Sequence, residues 1–349
     1  MLAQTARKAL VVTLVAGGVV LVALALWKLK LVISLVFLGF IVAAAMRPSI
    51  EGLRRRRIPR GIGIALHYLA LAGLVALVLW FAVPRAVTQV QNALAGDHLR
   101  HAARNSTGIK HEILIGLERR LERLPSGSKL IKPAAEVTKR AFEVIIGILF
   151  TFAVAAYWIF ERDRAIDLVA SLVPRAKRKR LRDTWNLIDL KLGAFVRGQA
   201  LLIVIVGTIL SAAFALIGLP YWLLVGCFAG LVEIVPVIGP LAAGALAVGV
   251  GFTESWHVAL AAGIAVLCVR LLEDYLILPK VLGEATGLSP LVVLFSVSAV
   301  TILFGGFAVL LAVPLAAVVA TVIDVAVRGR DPADEEVPTV LFPAKDAEA

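Results

Sequence analysis

The chain has 349 residues, 60% of them hydrophobic, and a mean hydropathy of +0.93; soluble domains are roughly 45–50% apolar. Its 36 Lys and Arg outnumber 24 Asp and Glu, for a formal charge of +12, and it has two cysteines. Together these exclude a soluble globular protein and point to an all-α polytopic membrane protein of about eight membrane segments, two of them interrupted or re-entrant, with a small external helical subdomain.

Residues 1–83 read as three membrane helices. The first apolar run, 10–27, follows Arg7-Lys8. It exceeds the ~7–15 residues of a signal-peptide core, so a retained helix is expected. Residues 31–46 form a shorter second helix, making a hairpin with Lys28 and Lys30 outside. Six basic residues follow in 47–60, including Arg54-Arg55-Arg56-Arg57. Short loops rich in Lys and Arg stay cytoplasmic, which puts both the N- and C-termini on that side. Nucleic acid is not expected as a partner, because no aromatic residues interleave the basic runs.

The third helix, 62–83, leads into the external subdomain 84–140. There Ile113, Leu114, Leu117, Leu121 and Leu124 recur at helical spacing opposite Glu118, Arg119, Glu122 and Arg123. A fourth helix occupies 141–160. Segment 161–198 is cytoplasmic and holds ten Lys and Arg. Its apolar positions (Ile166, Leu168, Val169, Leu172, Val173, then Trp185, Leu187, Ile188, Leu192, Phe195) suggest two interfacial amphipathic helices, with anionic lipids at the basic residues. Residues 199–327 form a C-terminal transport core. The tail, 328–349, contains Pro332, Pro338 and Pro343 with little apolar surface and is expected to be disordered.

The core opens with the apolar run 200–218 and then changes character. Residues 221–235 would extend about 22 Å and 241–252 about 18 Å, each short of a ~30 Å hydrocarbon core. Between them lie Glu233, Pro236, Gly239 and Pro240. One kinked helix or a re-entrant hairpin both fit. A second interruption, Gly305-Gly306, separates 290–304 from 307–327. Two interrupted segments in matching places mark transporter substrate sites, and irregular backbone at membrane depth survives only inside protein or beside water. Half-helix N-termini after Gly239 and Gly306 would present N–H groups and a positive dipole end to a small polar solute.

Intramembrane carboxylates are unfavourable and usually functional, so Glu233 is a candidate proton or sodium site; a helix-capping role is the alternative. Arg270 and Asp274 stand at i,i+4 with Glu273 beside them, and Lys280 could pair with Glu284 beyond Pro279. This charged stretch is either a membrane-surface loop or part of the cavity. Gly226-Cys-Phe-Ala-Gly230 is a GxxxG, read as close packing within the chain rather than as a dimer contact. Cys227 and Cys268 lie in apolar segments and read as small packing residues.

Enzymatic chemistry and cofactors are not expected. His111-Glu112 lacks the second histidine of HExxH, and neither GxSxG nor GxxxxGK[ST] occurs. A non-transporting scaffold or a channel remains the alternative class.

Three ordered motifs resemble the AI-2E family transporters. They are Pro236-Val-Ile-Gly239-Pro240, then Pro279-Lys280-Val-Leu-Gly283 with Gly287-Leu-Ser289-Pro290-Leu, and Phe304-Gly305-Gly306 with Leu311-Ala-Val-Pro314. The chain departs in having Glu233 where relatives often have Asn, and Ser289 where His is common. The resemblance implies a multi-pass protein of the bacterial inner membrane and a homo-oligomer such as a pentamer. It further implies export of the furanosyl signal autoinducer-2, as in some members, or Na+/H+ antiport, as in others.

Overall fold

In the computed structural model the described residues are 2–94, 131–235, 238–277, 288–335 and 337. Among them every regular element is helical. Helix α1 (Leu2–Lys28) is followed after one residue by α2 (Lys30–Arg55). Leu29 has φ −87 and ψ 4, its N–H donates to Ala25 O at 2.9 Å, and Ile33 N–H donates to Leu29 O at 2.9 Å. The i→i−4 ladder therefore runs through the junction, and the hairpin expected at Lys28 and Lys30 is absent. Two lysines between apolar runs imitate a turn, but reversing a helix needs several non-helical residues, and here there is one. Without that hairpin, the expectation of a cytoplasmic N-terminus loses its support.

Helix α3 (Arg60–Leu94) returns along α2, and Tyr68 OH ties it to Phe152 O of the fourth helix at 2.6 Å. The expected helix around 113–124 lies outside the described residues. Helices α4 (Ile131–Ser171) and α5 (Arg175–Ile217) have 41 and 43 residues, about 60 and 65 Å of helix, twice the hydrocarbon core. The surplus forms an antiparallel hairpin turning at Pro174. Arg182 pairs with Asp167 at 2.8 Å, Trp185 lies 5.9 Å from Trp158, and Arg178 Nη2 donates to Ser171 O at 3.3 Å. Segment 161–198 is thus an extension of two membrane helices and not a pair of interfacial ones. Ile166, Leu187 and Leu192 are buried in protein, while Leu168 and Leu172 remain exposed. Helical spacing reveals an apolar face without saying whether lipid or protein covers it.

The remaining elements are α6 (Trp222–Val232), α7 (Ile238–Glu254), α8 (Trp256–Leu272), a π-helical turn (Glu273–Ile277), α9 (Pro290–Phe304), a 3₁₀ turn (Gly306–Leu311) and α10 (Ala312–Ala326). Gly218 ends α5 in the left-handed region at φ 75. Ser255 caps α8 by accepting from Val258 N. Small residues bring α5 to α8 together. A Cβ on Gly230 would lie 2.8 Å from Gly207 Cα and 2.7 Å from Ile203 O, and one on Gly251 would lie 2.8 Å from Ala259 N. The GxxxG at Gly226 and Gly230 therefore serves packing inside the chain, against Gly207 and Ser211 of α5. Val206, Leu210, Phe214, Val225, Ala229, Ala243, Ala247 and Ala262 fill the core between these helices.

Among the described residues, five helices are long and apolar enough to cross a membrane. The outward faces are apolar, with Leu216 of α5 90% exposed and Ile302 of the shorter α9 79%. In water such a surface would drive aggregation, whereas in lipid it is the expected exterior. The start of the tail departs from the expected disorder. Residues 328–335 and 337 fold back on α5, with Pro332 buried and Val337 against Ala194.

Candidate functional site: a buried charge cluster at the first helix break

Helix α6 ends at Val232 and Glu233 caps it. Pro236 and Val237 lie outside the described residues. Beyond them α7 begins at Ile238, so Pro240 falls in its first turn, where a missing N–H is tolerated. Gly239 is buried and its N–H donates to Val235 O at 2.9 Å. A Cβ there would sit 2.7 Å from the Val232 carbonyl carbon and 3.1 Å from Glu233 Cα. Glycine is the residue that lets the two half-helices meet beside Glu233.

Glu233 is 6% exposed and Glu273 3%. Arg270, near the end of α8, joins them. Its Nη1 lies 3.3 Å from Glu233 Oε1 and 3.1 Å from Glu273 Oε2, while Nη2 lies 2.9 Å from Asp274 Oδ1. One guanidinium thus faces three carboxylates, two of them buried on a single nitrogen. Arg270 and Asp274 are partly exposed, so the cluster opens on the Asp274 side. Glu273 and Asp274 both meet the guanidinium because they stand three and four residues beyond Arg270, on the same helical face; there α8 passes into the π turn, a feature common at functional sites.

Glu233, Arg270, Glu273 and Asp274 are therefore brought together, with Gly239 and Pro240 as the frame of the break. Lys280, and its expected partner Glu284, lie outside the described residues. Gly305 and Gly306 belong elsewhere. Gly305 has φ 94, and Gly306 opens a 3₁₀ turn that packs on α2 and α9. Leu311, at the end of that turn, joins Ile41, Ala44 and Leu192. Leu192 is seven residues from Gln199 along α5, about 10 Å, so the two breaks have different neighbours. At the second, Ala308 N–H donates to Gly305 O at 3.0 Å and the 3₁₀ turn leads directly into α10.

Several buried polar residues gave little sign of themselves in the sequence. Gln199 Nε2 donates to Glu233 O at 2.9 Å, tying α5 to the break; its signal was a lone amide at the head of the apolar run 200–218. Near the α4–α5 hairpin, Arg162 Nε donates to Asp189 Oδ2 and its Nη2 to Asn186 Oδ1 at 2.6 Å, while Arg47 approaches Asp189 at 3.8 Å. Lys191 meets Glu335 at 2.5 Å. Asp189 and Lys191 sit in Leu187-Ile-Asp189-Leu-Lys191-Leu192, where apolar neighbours flank each charge.

Apolar outer faces, interrupted helices and a buried charge cluster at one interruption define a multi-pass membrane protein of the transporter class. The model of the AI-2E family transporters matches residues 17–328, and the chain belongs to that family. It is similar to YrrI of Bacillus subtilis (strain 168), provisionally named a transport protein, with 27% identity over 82% of this chain and 86% of the relative. A provisionally named transport protein of Mycobacterium tuberculosis, MT0215, is 24% identical over 88% of this chain and 86% of its own. The provisionally named permease PerM of Escherichia coli (strain K12) is 24% identical over 56% of this chain and 58% of its own.

Proposed function

We propose that this transporter is an ion-coupled secondary carrier of a small polar solute, with the proton or sodium ion bound between Glu233 and Glu273. The observation that carries this reading is the imbalance of one guanidinium among three carboxylates, two of them buried. Buried excess charge is strongly unfavourable. A proton or a small cation entering beside Arg270 offsets it, and losing that ion restores the strain, so occupancy is linked to the geometry of the break. Gln199 carries such a change into α5 through the Glu233 carbonyl.

The same imbalance supports a second reading, Na+/H+ antiport, in which the cation is itself the cargo. Autoinducer-2-like export is the solute reading suggested by family membership. Family membership suggests the bacterial inner membrane, and the positive-inside rule then puts the basic residues 54–57 and 175–182 on the cytoplasmic side, against anionic headgroups.

Proteoliposomes under imposed pH and sodium gradients test this. Glu233→Gln is expected to abolish the dependence of flux on pH or sodium, and an unchanged profile removes Glu233 from coupling. Counterflow of labelled autoinducer-2 in the same vesicles separates solute carrier from antiporter, since only the former exchanges label.

A further inference from the structure

Helix α10 ends with Arg180 Nη2 donating to Val325 O at 2.7 Å and to Arg330 O at 3.2 Å. Gly329, at φ 73, turns the chain, and Asp324 holds Arg328 at 2.7 Å and Arg330 at 3.3 Å. The chain then crosses α5. Pro332 is buried, Glu335 accepts from Lys191 Nζ at 2.5 Å, and Val337 covers Ala194, which is fully buried. From Arg180 to Ala194 the segment accompanies about 21 Å of helix.

Two features set this strap apart from ordinary surface packing. The Lys191 side chain is 8% exposed, and a lysine that buried needs a counter-charge, which Glu335 supplies. The strap also lies beyond the last membrane helix, so it can leave α5 without unfolding any other described element. Its position gives that departure a consequence. Lys191 is eight residues, about 12 Å, from Gln199, and Gln199 is bonded to the carbonyl of Glu233. One turn nearer, Arg197 Nη1 donates to Ala45 O at 3.2 Å and Gly193 lies against Ala44. The strap therefore binds α10 to α5 at the level where α5 is also keyed into α2.

We infer that residues 328–335, with Val337, are an autoinhibitory latch. With Glu335 on Lys191, α5 is held against α2 and α10 and cannot shift the Glu233 break. With the pair undone, α5 is released and transport speeds up. The inference rests on the transporter class and on the Gln199–Glu233 contact, not on the identity of the coupling ion.

The test uses full-length protein in proteoliposomes, with sodium-22 flux under a pH gradient as one readout and hydrogen exchange across residues 191–199 as the other. Loss of a charge-assisted bond of this sort shifts an equilibrium by roughly tenfold, so Glu335→Gln should raise both flux and exchange by about that factor. The charge-swapped Lys191→Glu/Glu335→Lys protein should return toward wild type. Ala194→Cys with Val337→Cys, made after replacing Cys227 and Cys268 with alanine, should lower flux until a reductant opens the disulfide. Flux at the wild-type level in both the Glu335→Gln and the disulfide proteins overturns the latch, as does lower flux in Glu335→Gln. If the wild type moves no sodium above empty vesicles, it is the sodium reading of the Glu233 cluster that fails. Exchange then decides the latch alone, and no change at 191–199 in Glu335→Gln rejects it.

Discussion

Two buried charge clusters lie along α5, and they are built on opposite charge ratios. Near the α4–α5 hairpin, Arg47 and Arg162 meet Asp189 and Asp163, two guanidinium groups against two carboxylates, with Asn186 accepting a further N–H. At the first break, Arg270 alone meets Glu233, Glu273 and Asp274. A balanced cluster has every charge answered and fixes three helices relative to one another. An unbalanced one leaves negative charge for a mobile cation to answer. Burial alone would have ranked the two alike; the count of partners separates a clamp from a site.

The contrast can be broken by removing one acid from each. Asp189→Asn leaves Arg162 buried without its main partner and should destabilise by about 3–5 kcal/mol, read as a lowered Tm in detergent, with flux per folded molecule unchanged. Glu273→Gln should move the other way. Relieving repulsion between two buried carboxylates should raise stability by roughly 1 kcal/mol, while the sodium and pH dependence of flux is lost. A lowered Tm for Glu273→Gln would show that this cluster is structural too. Asp163→Asn sharpens the comparison at its weak end. That side chain is 65% exposed, and loss of its contact with Arg162 should change stability by under about 1 kcal/mol.

What could be read from the sequence follows the same division. The break at Glu233 announces itself, because proline and glycine between two apolar runs force the backbone out of the helix at membrane depth. The i,i+4 spacing of Arg270 and Asp274 likewise identifies partners on one helix. That Glu233 joins them depends on α8 folding back along α7, with Gly251 against Ala259, Gly263 against Val248 and Gly244 against Val266. No local pattern specifies that register. The partner of the GxxxG was equally hidden, since Gly207 and Ser211 are unremarkable until α6 lies on them. The lysines at 28 and 30 misled because charge marks a membrane boundary only when the backbone also turns. Arg162 and Asp189, 27 residues apart, pass for topology signals in the sequence because helical periodicity does not reveal which charge points inward.

The glycine contacts have a mechanical consequence. Gly207 with Gly230, Gly239 with Val232 and Gly251 with Ala259 bring backbone against backbone, leaving no side-chain cushion to be compressed or re-rotamered. Helices α6, α7 and α8 with the adjoining half of α5 therefore behave as one stiff cassette. Alternating exposure of Glu233 would then come from tilting that cassette as a lever, with the long N-terminal arm of α5 as its handle.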